Sequence, residues 1–160
     1  MTSLASVNAD INAAVRSATL SYWSDFGWPV RAAGAAVLLS LPPTMAALAV
    51  SADLARPLLE RVESAGFHGG VLRLMEENSH WVFLVTRPRH WRVAPGQAIQ
   101  LLPESSDLRL PCGLELPNAA VWLREPQSTD DALFDGDLLL GELADIVAEW
   151  PVWHADRSAA

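Results

Sequence analysis

The run Thr86-Arg87-Pro88-Arg89-His90-Trp91-Arg92-Val93 sets three guanidinium groups, an imidazole and an indole side by side. Arginine forks grip phosphate and aromatic faces stack on bases, so Arg87, Arg89, His90, Trp91 and Arg92 are where this chain would contact a nucleotide or a nucleic acid. The same residues also read as a solvated loop at a strand end, paired with acidic side chains of this chain or of a second copy, and that plainer reading is favoured. Of the four histidines, His68, His80, His90 and His154, two precede a tryptophan. His80 and His90 could meet across a hairpin, with Asp107 or Glu115 completing a ligand set, but no zinc-type spacing accompanies them. No metal site and no cofactor are expected. Cys112 is the single cysteine, which excludes an internal disulfide and a thiolate-rich zinc site. A lone cysteine more often fills a small apolar gap than acts as a nucleophile. Every basic residue is an arginine, so a P-loop lysine, a Schiff-base lysine and a lysine general base are all excluded.

The charge is unevenly placed. Residues 127–160 hold eight acids, Asp130, Asp131, Asp135, Asp137, Glu142, Asp145, Glu149 and Asp156, against Arg157, a local charge of −7 out of −8 for the chain. Affinity for nucleic acid rests mainly on cationic neutralisation of phosphates, so this balance disfavours sequence-independent binding of DNA or RNA. Seven tryptophans are present, more than a core of this size usually needs. Tryptophan is enriched at interfaces, and Trp91, Trp150 and Trp153 fall in segments expected near the surface. Asp130, Asp131, Asp135 and Asp137 with Trp150 and Trp153 therefore form a candidate interface for a protein partner or for self-association. Acidic charge with apolar anchors fits a basic partner, and could also mimic nucleic acid. The run from Asp131 to Glu142 has closely spaced acids but not the ligand order of a calcium loop, since leucines, Leu133 and Leu139, stand at its third and ninth positions,.

These side chains need a framework to hold them. With 160 residues, 51% hydrophobic and 19% charged, the chain suits one folded domain over 1–160, with residues 1–7 and 155–160 expected to be loose. The opening MTSLASVNAD has neither a basic n-region nor an apolar h-region. The longest apolar run, Ala32 to Leu41, is far short of the ~20 residues that span a bilayer. A cytoplasmic chain making no membrane contact is the expectation.

The fold class is α+β, with a mixed or antiparallel sheet. A first helix is expected from Asn8 or Asp10, with Asn8 as N-cap, to about Asp25, closed by Gly27 and Pro29. Ala35 to Leu41 reads as a fully buried strand and Met45 to Val50 as a second core strand, with Ser51 capping a helix to about Ala65. Pro57 predicts a kink or a later start in that helix. Gly70–Met75 and His80–Val85 read as a hairpin, followed by strands at Ala98–Leu102, Asp107–Leu110, Gly113–Leu116 and Ala120–Arg124. A C-terminal acidic helix is expected from about Thr129 to Trp150, with Asp130 and Asp131 favouring its dipole, a break near Gly136 and a stop at Pro151.

The segment Met45–Val62, MAALAVSADLARPLLERV, resembles the strand-helix unit of the actinobacterial bifunctional DNA primase/polymerase-like proteins. So do GWPV at 27–30, SAGFHGGVLRLMEENSHWVFLV at 64–85 and GLELPNAAVWLREP at 113–126. Together the matches cover roughly residues 12 to 126. The resemblance implies that family's α+β fold and a nucleotidyl-transferring ancestry. It also implies a lost site, since Ala46 and Ala49 stand where the family carries metal-binding acids. The family's cysteine- and histidine-containing loop is missing, and Leu110-Pro111-Cys112-Gly113 replaces its His-Gly-Arg-Gly segment. Nucleotidyl transfer needs carboxylates to hold divalent metals on the triphosphate, so the expectation is a non-catalytic relative that binds a protein partner or itself through the acidic, Trp-bearing C-terminal region. The competing expectation is a primase/polymerase-like enzyme using Arg87–Arg92 with Glu76, Glu77 or Asp107.

Overall fold

The structure is a computed structural model that describes residues 3–74, 80–90, 98–114 and 119–158, with side chains as far as residue 149. The fold is α+β, as its sequence pattern predicts, with both sheets antiparallel.

Helix α1 spans Leu4–Phe26. It begins earlier than expected because Ser3, not Asn8, is the N-cap, its hydroxyl accepting from the Ser6 amide at 3.2 Å. The region expected to be loose before residue 8 is thus helical from Leu4. Gly27 closes the helix in the left-handed conformation at φ 67°, its amide bonded to Trp23, as a C-terminal glycine does. Strand β1 (Val30–Ala33) turns at Gly34 into β2 (Ala36–Ser40), and β7 (Asp107–Leu110) completes a three-stranded sheet in the order β1-β2-β7. Strand β2 is not fully buried. Val37 and Leu39 face the core while Ala36, Leu38 and Ser40 are half-exposed, because one face of this sheet is left open.

The larger sheet has the order β6-β3-β5-β4-β8, from β3 (Met45–Ser51), β4 (Val71–Leu74), β5 (His80–Thr86), β6 (Ile99–Leu101) and β8 (Ala120–Arg124). The β4–β5 pairing, with Val71 opposite Phe83 and Arg73 opposite Trp81, bears out the hairpin reading. Of the strand expected over Gly113–Leu116, Gly113 and Leu114 are bends, and the other two lie outside the described residues.

Helix α2 (Ala52–Ser64) follows β3 directly and runs unbroken through Pro57. Proline there forfeits only the bond to the carbonyl of Asp53, whose residue is exposed to water,. Leu54, Ala55, Leu58, Leu59 and Val62 are buried. Helix α3 (Gly136–Ser158) starts seven residues later than expected and continues through Pro151, where again one backbone bond is the loss. Asp130 and Asp131 consequently lie in turns ahead of the helix, and Asp137 is the acid in its first turn.

Two cores result. Ala46, Leu48 and Val50 of β3 pack with α2, Phe134 and Leu139, Leu140, Leu143 and Ile146 of α3. Met45, Ala47 and Ala49 pack the other way, with Val37, Leu39, Leu108 and Leu110 of the smaller sheet and Val15 of α1. The Phe134 ring is tilted by 55° against that of Phe83, ring centroids 5.8 Å apart. Gly69 makes room for it, since a Cβ there would stand 2.4 Å from the Phe134 ring.

Candidate functional site: a sheet crevice, a charged junction and an acidic cleft

Ala46 and Ala49 are three residues apart on an alternating strand, so they face opposite layers. Ala46 is sealed against the helices, and Ala49 lines a crevice of about 340 Å³ between the sheets. His80, Gln100, Asp107 and Arg109 line the same crevice. Among the described residues Asp107 is its one carboxylate, and Arg31 holds it by two bonds of 2.9 and 2.7 Å while Ser40 donates a third at 3.1 Å. These bonds to the charged form, with Arg31 foremost, keep the Asp107 carboxyl below its usual range,. No group of three or more His, Cys, Asp or Glu among the described residues is placed to share a metal ion. His80 lines this crevice whereas His90 stands at the start of α3, so the sequence-derived pairing of the two does not form.

The basic cluster and the acidic helix form one junction. The Arg87 guanidinium donates to the carbonyls of Pro43, at 2.7 Å, and Met45, at 3.0 Å, fastening β5 to the turn before β3. The main-chain amides of Arg89 and His90 both donate to one Asp137 oxygen, at 2.8 and 3.1 Å. The backbone bond from His90 comes first among the causes that lower the Asp137 carboxyl. The side chains of Arg89 and His90 are exposed. Trp91 and Arg92 lie outside the described residues, as do Glu76, Glu77 and Glu115. Asp135 accepts from the Leu138 amide at 3.1 Å and caps α3,. Arg61 of α2 bonds Glu149 at 2.8 Å. Of the expected interface acids, Asp130 and Asp131 are exposed ahead of the helix. Trp150 and Trp153 belong to α3, but their side chains lie outside the described residues.

A third site was not anticipated. A cleft of about 700 Å³ runs between α1, the Pro111–Gly113 turn and the segment leaving β8. Its floor is Tyr22, Phe26 and Trp122, and its walls carry Asp25, Glu125, Ser17, Ser21, Gln127, Ser128 and Cys112. The Tyr22 hydroxyl donates to the Pro111 carbonyl at 2.6 Å and accepts from the Trp122 indole at 3.0 Å. Burial, with smaller contributions from the charges of Glu125 and Cys112, pushes its pKa up to about 12 against the lowering effect of the Trp122 bond. Thr129 donates to the Asp25 carbonyl at 3.1 Å and ties the two walls together. The one signal for this cleft in the sequence is the end of the first helix, where Tyr22-Trp23-Ser24-Asp25 supplies an acid and no base. Trp23, 65% exposed, is the surface tryptophan among those whose side chains are described; Trp28 is buried and Trp81 and Trp122 are half-buried.

No helix among the described residues is long and apolar enough to cross a membrane. No protein-family model, no curated protein and no solved structure matches this chain.

Proposed function

We propose that this chain is a non-catalytic interaction domain on a primase/polymerase-like scaffold, binding a basic protein partner through its acidic surface. The observation that carries the reading is the state of the crevice beside β3. Ala49 lines it, and Asp107, the carboxylate nearby, is already neutralised by Arg31. Two-metal phosphoryl chemistry needs several oxygen donors converging on the ions, and the described residues there offer one engaged acid. The surplus negative charge instead lies on the outside, at Asp25, Glu125, Asp130 and Asp131, all exposed. Self-association is the variant of this reading in which the Arg89 and His90 side chains supply the basic surface.

The alternative, a nucleotide-processing enzyme working through Arg87–Arg92, has the exposed Arg89 and His90 side chains in its favour. A thermal-shift panel decides between them. A ligand at 100 times its dissociation constant stabilises by about 2.7 kcal/mol. Stabilisation by arginine-rich peptides and silence with nucleoside triphosphates, with or without manganese, is the expected result. Stabilisation by a manganese–triphosphate mixture alone would overturn it.

A further inference from the structure

We infer that the cleft beneath α1 is the docking groove for an arginine-bearing, partly apolar peptide segment about five residues long. The inference rests on the interaction-domain reading and says where, and by what chemistry, the partner is held.

The charge of the cleft has one sign. Asp25 and Glu125 stand on its walls, and no arginine or histidine is among the described residues that line it. The last turn of α1 adds to this, because a helix C-terminus carries partial negative charge and this one has no basic residue to offset it,. A cation is therefore the complementary occupant. A bare metal ion is not, since the described acids do not gather around a common point. The aromatic floor selects among organic cations. Guanidinium groups lie flat on indole and phenyl faces, and the Trp122 and Phe26 rings line the cleft together with the two carboxylates. The Tyr22 hydroxyl has its donor and acceptor roles filled by Pro111 and Trp122, so the floor is fixed before anything binds.

Length points to a peptide rather than a small amine. The lining positions of α1 run from Ala14 to Phe26, about 18 Å of helix at 1.5 Å per residue. An extended chain covers that distance in roughly five residues. Ser17, Ser21, Gln127 and Ser128 along the walls supply hydroxyl and amide partners for a peptide main chain,.

The test is fluorescence anisotropy of the full chain with a fluorescein-labelled decapeptide of alternating arginine and leucine, with the glutamate-leucine decapeptide and spermine as competitors. Asp25→Asn combined with Glu125→Gln is expected to weaken binding about tenfold or more, equivalent to about 1.4 kcal/mol. Asp130→Asn combined with Asp131→Asn is expected to change it by less than about threefold. All four side chains are exposed, and matching thermal melts confirm that the variants fold. Retention of binding by the Asp25/Glu125 variant would overturn the cleft as the site and leave the interaction-domain reading standing. Failure of the peptide to bind the unaltered chain would overturn both. Spermine competing as well as the unlabelled peptide would overturn the peptide and make the occupant a polyamine.

Discussion

Ala46 and Ala49 turn their methyl groups to opposite faces of β3, one into the helix-covered core and the other into the crevice between the sheets. Had both positions carried acids, one of them would have been buried among Leu58, Phe83 and Leu143. A metal pair on this strand would have to use Ala47 and Ala49, which share a face. Ala46→Asp is therefore expected to destabilise by about 3 kcal/mol or more, the consequence of burying an unpaired carboxylate. Ala49→Asp, beside Arg109 and His80, is expected to cost roughly half of that or less. Urea unfolding of the two variants measures the difference, and equal losses would contradict the assignment of faces.

Tyr22 is the sole tyrosine, so phenolate absorbance reports it directly. Its titration in the folded chain is expected near pH 12, against about 10 for a free phenol. Because the folded value is the higher, the stability this represents is present below about pH 10 and lost as pH rises towards 12. A midpoint at the ordinary value would show that the phenol is not buried against Trp122 and Pro111.

The bonds from Arg89 and His90 lower the Asp137 carboxyl, so their contribution exists while the group is charged and disappears as pH falls below the unfolded value of about 3.9. Asp137→Asn should melt earlier than the unaltered chain at pH 7. The gap should close on acidification below about pH 4. Melting curves that stay separated by the same interval at both pH values would mean that Asp137 does not hold this junction through its charge.

Gly136 opens α3, where alanine would ordinarily stabilise a helix by up to about 1 kcal/mol. A Cβ at this position would stand 2.0 Å from the Thr86 carbonyl oxygen. Gly136→Ala is accordingly expected to reverse the usual sign and destabilise by about 1–3 kcal/mol, measured by chemical denaturation. A gain in stability would mean that α3 starts farther from β5.

The elements were more legible than their ends. Met45–Val50 announced itself as a core strand by an unbroken apolar run, and the paired runs around Val71 and Val82 announced a hairpin by alternation. Helix boundaries differ because a cap is one short polar side chain among several candidates: Ser3 rather than Asn8 caps α1, and Asp135 caps α3, whose start lies seven residues beyond the one expected at about Thr129. Pro57 predicts a kink or a later start and Pro151 a stop, although each removes one bond and α2 and α3 carry on across them. The site was less legible still. Arg87 looked free to bind phosphate because nothing local shows that Pro43 and Met45, more than forty residues earlier, present carbonyls to it. The aromatic cleft depends on Tyr22 meeting Trp122, one hundred residues apart, and no pattern of neighbouring residues encodes that encounter.

Titration calorimetry of the full chain tests the central claim most directly, that this domain recognises a cation and does not handle a metal–nucleotide. With the arginine-leucine decapeptide, heat of binding is expected at low salt and should weaken as ionic strength rises past about 0.1 M, where the screening length is about 10 Å. Manganese with ATP is expected to give none. A saturable heat with manganese–ATP, and none with the peptide, would contradict the account.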